Sequence, residues 1–157
     1  VAYHEGCVYL RMPRKAEQKI YQGTEKLELG KGYVLREGSD LTIAATGFVM
    51  VPEALATAEL LEKEGINAAV IDFHTIKPID TMLIDEWAGR TKCFVTMENH
   101  QIFGGLGGTV AEYLSQNNPK HVLRLGIEDR FGQVGTESFL KTECGLTVQQ
   151  MAPKIAE

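Results

Sequence analysis

Leu41-Thr42-Ile43-Ala44-Ala45-Thr46 is a nearly continuous apolar and β-branched run. Such a run suits a strand covered on both faces, as in a parallel sheet. Working outward, Val51, Ala54, Leu55, Ala58 and Leu61 recur at helical spacing, Pro52 can occupy the first turn, and Gly65 stops the helix. Residues 67–73 form a second buried strand ending in Asp72-Phe73. A Pro-containing loop, His74 to Pro78, leads to Asp80, which can cap a helix with Leu83, Ile84 and Trp87 on its apolar side. Residues 92–97 are a third strand. Glu98 to Gly108 reads as a glycine-rich turn opening a helix with Val110, Ala111 and Leu114, and residues 121–126 return as a fourth strand.

Upstream, residues 33–37 read as a short strand before the turn Gly38-Ser39-Asp40. Strands alternating with helices imply right-handed crossovers. The fold class expected is α/β: a mostly parallel five-stranded sheet flanked by helices in a three-layer sandwich. Two short helices close the chain. Phe139 and Leu140 anchor the first, which Gly145 ends. The second opens on a Thr147–Gln150 capping box with Leu146 and Met151 as its hydrophobic staple, and Pro153 limits its regularity.

Residues 33–157 therefore read as one self-contained domain and the polar stretch 15–32 as a linker. Residues 1–14 carry a lone strand at 7–12, stopped by Pro13. One strand without its sheet is not stable, so this segment reads as the tail of another domain.

Composition excludes several classes. The 157 residues are 44% hydrophobic and 24% charged, ordinary for a globular domain with a core. A net charge of −5 without a basic block argues against nucleic acid as the main partner. No apolar run reaches the roughly 18 residues of a membrane span, and the start lacks a secretory pattern. Cys7, Cys93 and Cys144 fit neither a disulfide framework nor a zinc site, and read as reduced side chains of a cytoplasmic protein.

Few residues suggest chemistry. Gly104, Gly105, Gly107 and Gly108 follow a strand and precede a helix, so their N–H groups could hold an anion, or the turn could pack against a neighbouring chain. It matches neither nucleotide fingerprint. Glu98 and His100 stand at a strand end, where parallel sheets usually face ligands. His100 could act as an acid or base near neutral pH, or hold structure, as could His74. Asp129 and Arg130 could form a loop-stabilising pair or an interface contact. Arg14, with Arg11, could place a guanidinium on a phosphate or simply be a surface residue. No catalytic residue and no metal ligand is assigned on this chain.

Three segments together resemble a known family: Thr46-Gly47; Gly65-Ile66-Asn67-Ala68-Ala69-Val70-Ile71-Asp72; and Thr75-Ile76-Lys77-Pro78-Ile79-Asp80. The resemblance is to the C-terminal domain shared by transketolases, 1-deoxyxylulose-5-phosphate synthases and the β subunits of 2-oxo acid dehydrogenase E1 components. Glu98-Asn99-His100 through Gly104-Gly105-Leu106-Gly107, then Asp129-Arg130-Phe131-Gly132 and Gly145-Leu146-Thr147, resemble the transketolase branch.

That resemblance implies ketol transfer between sugar phosphates in the complete enzyme, with thiamine diphosphate and Mg²⁺ held on other domains and none on this chain alone. It implies a section serving assembly and dimerisation, inactive by itself, in a split transketolase. Its partners would be an N-terminal transketolase section, a pyrimidine-binding domain and a second copy. It implies that residues 1–14 end that pyrimidine domain and that Arg14 contacts the sugar phosphate, although Met12-Pro13-Arg14 departs from the family's usual Leu-Ser-Arg or Leu-Gly-Arg. A dehydrogenase E1 β-type or synthase domain, or a standalone anion-binding module, is the alternative.

Overall fold

A computed structural model describes residues 3–9 and 18–157. Five strands and five helices follow in order: β1 (Tyr33–Arg36), β2 (Leu41–Ala45), α1 (Gly47–Lys63), β3 (Ala68–Asp72), α2 (Thr81–Arg90), β4 (Cys93–Gln101), α3 (Leu106–Asn117), β5 (His121–Ile127), α4 (Glu137–Glu143) and α5 (Val148–Ala156). The sheet runs β1-β3-β2-β4-β5. β3, β2, β4 and β5 are parallel, and β1 pairs antiparallel on the β3 edge. The α/β sandwich expected from the strand–helix alternation is the one observed.

Every residue of β2 and β3 is buried, because each face of the sheet has its own helical cover. Side chains alternate between faces along a strand. Ile43, Ala45, Val70, Val95 and Met97 pack with Val51, Ala58, Leu61 and Met151 of α1 and α5. Ala44, Ala69, Ile71 and Phe94 point the other way, onto Ile84 and Trp87 of α2 and Val110 and Leu114 of α3. Each large aliphatic or aromatic side chain so buried contributes roughly 1.5–3 kcal/mol relative to an exposed one.

Several local expectations hold. Asp80 caps α2, its carboxylate accepting the Leu83 N–H at 3.2 Å. Leu146 and Met151 are both buried beside α1. Other details differ. α1 starts at Gly47, five residues ahead of Pro52, because Gly47 takes φ +83° and turns the chain straight out of β2. Pro52 thus lies in the second turn, where its ring forgoes one backbone bond.

The Thr147 hydroxyl meets the Gln150 side chain at 2.8 Å instead of capping a backbone N–H, and the Gln150 amide donates to the Thr142 carbonyl. Phe139 does not anchor α4: the helix buries no residue, and Phe139 lies on its open side. α4 is held by its Thr136 cap and by Lys141 paired with Glu53 at 2.6 Å.

Residues 18–32 are no free linker. The Tyr21 hydroxyl donates to Asp72 at 2.6 Å, its ring packs edge-on to Tyr33, and the Gly32 N–H donates to Asp80. Of the strand expected at 7–12, Cys7, Val8 and Tyr9 are described, exposed and without strand pairing, as befits a segment with no sheet beside it. Its remainder, and Arg11 and Arg14 with it, lie outside the described residues.

Candidate functional site

The structure brings Glu98, His100, Gly105 and Gly107 together, leaves Gly104 open on the turn before them, and directs the Arg130 side chain to α4 instead of to Asp129. β4 does not end at residue 97. After an irregularity in its pairing with β5 it resumes at Gln101 opposite Ile127, so Glu98 and His100 belong to the strand and only the short stretch up to Gly105 turns.

Glu98 is fully buried. Its Oε2 accepts the N–H of Leu106 at 2.7 Å and its Oε1 that of Gly107 at 3.0 Å. These are first-turn donors of α3, which no carbonyl of the helix can satisfy. The positive end of the helix and charge-assisted hydrogen bonding offset the burial of the carboxylate. His100, two-fifths exposed, sets its Nε2 2.5 Å from Oε2 of Glu98 and covers the carboxylate from the solvent side.

The glycines follow from this placement. A methyl group on Gly105 would overlap both the Glu98 carboxylate and the His100 ring. One on Gly107 would sit 2.6 Å from the Thr96 hydroxyl and 2.9 Å from Glu98 Oε1. The turn does hold an anion, but that anion is the chain's own side chain. The donor set does not fit a diphosphate or its metal, because a second anion on the same N–H groups would meet the Glu98 charge at contact distance. Sequence reading singled out Glu98, His100, Gly105 and Gly107 but not Thr96, and did not see that the carboxylate eight positions before Leu106 fills the turn. The signal lay in the Glu98–Leu106 spacing once β4 is drawn to residue 101.

Asp129 and Arg130 do not form a pair among the described residues. The Arg130 guanidinium donates to the Glu143 carbonyl at 2.8 Å and to Cys144 Sγ at 3.0 Å, while its own carbonyl accepts from Gln101 Nε2 at 2.7 Å. Arg130 thus ties the loop after β5 both to the end of α4 and to β4. Asp129 is exposed. Phe103 in the β4–α3 turn, and Phe131 and Val134 in the loop after β5, present apolar side chains to solvent at the same sheet end.

A second place was not legible in the sequence. A cavity of about 310 Å³ opens at the C-terminal ends of β2 and β3, lined by Tyr21, Thr46, Phe48, Asp72 and His74 among others. Asp72 is 6% exposed; Oδ2 takes the Tyr21 hydroxyl, and Oδ1 has no donor among the described residues. Burial pushes the Asp72 carboxyl above its ordinary range, with Tyr21 and His74 pulling the other way. The Tyr21 phenol is pushed upward by burial and by its bond to Asp72. Tyr21 and Asp72 are 51 residues apart, a separation that spacing in the sequence cannot bridge.

Residues 30–151 match the family described as the transketolase C-terminal domain. A protein of Methanocaldococcus jannaschii named a transketolase C-terminal section is 45% identical over 100% of this chain and 49% of its own length. The 6-deoxy-6-sulfo-D-fructose transketolase subunit of Clostridium sp. strain MSTE9 is 43% identical over 94% of this chain and 46% of its own. The 1-deoxy-D-xylulose-5-phosphate synthase of Synechococcus sp. strain CC9605 is 40% identical over 98% of this chain but 24% of its own. Among solved structures, a split-gene transketolase described as an inactive β4 tetramer aligns with TM-score 0.84 at 39% identity, over 91% of this chain and 46% of that one. The chain spans about half the length of the first two relatives. It belongs to the transketolase C-terminal domain family.

Proposed function

We propose that the chain is the C-terminal domain of a transketolase, serving assembly in an enzyme that moves a two-carbon ketol unit between sugar phosphates and inactive in that reaction by itself. The observation that carries this is the closure of the glycine turn by Glu98, which leaves its helix start without room for a cofactor phosphate. Thiamine diphosphate would supply a stabilised carbanion when bound on the other domains. The part of this chain is mechanical. The buried Glu98 fixes the β4–α3 turn, Arg130 fixes the loop after β5, and the two together hold Phe103 and Phe131 where a neighbouring domain or a second copy would cover them.

Its partners on this reading are an N-terminal section, a pyrimidine-binding domain and a homodimer mate, all in the cytoplasm. Arg14 would contact the sugar phosphate once the upstream domain is in place. Calorimetry decides between outcomes. Thiamine diphosphate and Mg²⁺ binding together with ketol transfer only when upstream sections are added supports the assembly role. Tight binding by this chain alone overturns it.

A second reading, the C-terminal domain of a 1-deoxyxylulose-5-phosphate synthase, is favoured by the 40% identity to that enzyme. Formation of 1-deoxy-D-xylulose 5-phosphate by the reconstituted enzyme, in place of ketol transfer, would select it.

A further inference from the structure

Residues 18–29 reach the domain through side chains alone. Among the described residues, no backbone group of this stretch bonds to a strand or a helix. Its contacts lie at one end. Ile20 packs on the α1 side of the core, and the Tyr21 hydroxyl donates to Asp72 Oδ2 at 2.6 Å with its ring edge-on to Tyr33. From Gln22 to Leu29 every residue except Glu25 is exposed. The Glu25 carboxylate turns inward on the stretch itself and accepts the N–H groups of Gln22, Gly23 and Thr24, so the loop is a compact piece of its own.

The other end is built to pivot. Gly30 takes φ +80°, a conformation that glycine enters freely. Two residues on, the chain is fixed. The Gly32 N–H donates to Asp80 Oδ2 at 3.2 Å, and its backbone lies so close to α2 that an added Cβ would sit 2.6 Å from Leu83 Cδ2.

Between this stretch and the domain there is space. The cavity of about 310 Å³ has Gln18, Ile20 and Tyr21 on one side and Thr46, Phe48 and His74 on the other. Protein interiors are close-packed, and a segment with a void beneath it forgoes the dispersion contacts that would hold it down. Few buried apolar contacts and no backbone bonds to the sheet mark a segment that opens at a free energy well below that of global unfolding. The one polar fastening is reversible for the same reason. A phenol on a carboxylate is a strong bond while closed, but water replaces each partner when it opens.

We propose that residues 18–29 are a hinged strap, latched by Tyr21 on Asp72 and pivoting at Gly30, which opens from the carboxyl ends of β2 and β3 while the sheet stays folded. Latched, the strap fixes the place at which the chain enters the domain. Open, it frees that entry and uncovers the cavity. Any consequence for an upstream section rests on the assembly reading; the opening itself does not, and is measured on this chain alone.

Amide nitrogen relaxation of the 157-residue chain tests the device. In the parent chain, Ile20, Tyr21, Phe73 and His74 are expected to share one exchange process on the microsecond-to-millisecond scale, with β4 and β5 free of it. Tyr21→Phe keeps the ring and removes the latch. Order parameters from Ile20 to Leu29 should then fall below about 0.6, while those from Lys31 through β1 stay near about 0.85. Asp72→Asn exchanges a charge-assisted bond for a weaker one, so the open population should rise several-fold although the melting temperature does not fall. A segment that merely belonged to the core would show the reverse, with strap order and melting temperature moving together. Absence of shared exchange in the parent, a strap that stays ordered in Tyr21→Phe, an unchanged open population in Asp72→Asn, or disorder spreading past Gly32 into β1 would each overturn the proposal.

Discussion

Glu98 Oε2 lies 2.7 Å from the backbone nitrogen of Leu106, so a fully buried carboxylate of β4 forms the N-terminal cap of α3 from eight residues upstream. Removing it orphans two buried N–H groups at once. Each is worth about 1–3 kcal/mol, so Glu98→Ala should lower stability by about 2–6 kcal/mol in urea unfolding. Glu98→Gln can accept at only one of its two atoms and should fall between. A loss under about 1 kcal/mol for the alanine variant would show that the turn holds without its carboxylate.

Glycine substitutions separate crowding from backbone freedom. Gly105→Ala drives a methyl into Glu98 and His100, and is expected to cost about 2 kcal/mol or more. Gly89 is a helical glycine of α2, exposed and with nothing within 4 Å of an added Cβ. There alanine should stabilise by about 0.5–1 kcal/mol. Thermal melts of the two variants should therefore shift in opposite directions, and a shared direction contradicts the packing described.

The Asp72 carboxyl gives a pH dependence of definite sign. Burial raises its folded pKa above the unfolded value. The folded state thus holds the proton more tightly, and the stability associated with it is present below the ordinary carboxylate pKa and lost as pH rises through the folded value. Asp72→Asn keeps an acceptor for Tyr21 without the charge. It should melt higher than the parent chain at pH 7, with the gain shrinking as the pH falls through the carboxylate range. A gain that grows toward acid pH would reverse the assignment.

Arg130 is an exposed tether, so Arg130→Ala should leave the melting temperature nearly unchanged. Its effect should be local. Amide exchange over α4, which buries no residue, should accelerate while that of β2 and β3 stays as slow as before.

The sheet was legible in the sequence because its strands are covered on both faces and read as unbroken apolar runs, as Leu41–Ala45 and Ala68–Asp72 do. The Asp80 cap and the Leu146–Met151 staple were legible because their geometry is local. Where a side chain answers to a distant partner, spacing says nothing. Glu98 extends β4 past its apolar stretch because α3 needs its carboxylate. Tyr21 turns a polar stretch into an edge cover because Asp72 lies beneath it. Phe139 is apolar yet unburied, and a single sequence does not tell an exposed aromatic from an anchoring one. Glu98, His100 and the glycines of the turn were identifiable, and what filled the turn was not, since that depends on a strand end falling opposite a helix start.

The two helical layers also differ optically. The chain's one tryptophan, Trp87, is buried between the sheet and α2, with the Arg90 guanidinium 3.9 Å from its ring centre. The layer of α1 and α5 has no such chromophore. Indole emission therefore witnesses the melting of one side of the sandwich alone, while far-ultraviolet dichroism averages over both. If the two curves coincide, the sheet transmits unfolding from face to face as one cooperative unit. If they part, the α5 side lets go on its own schedule.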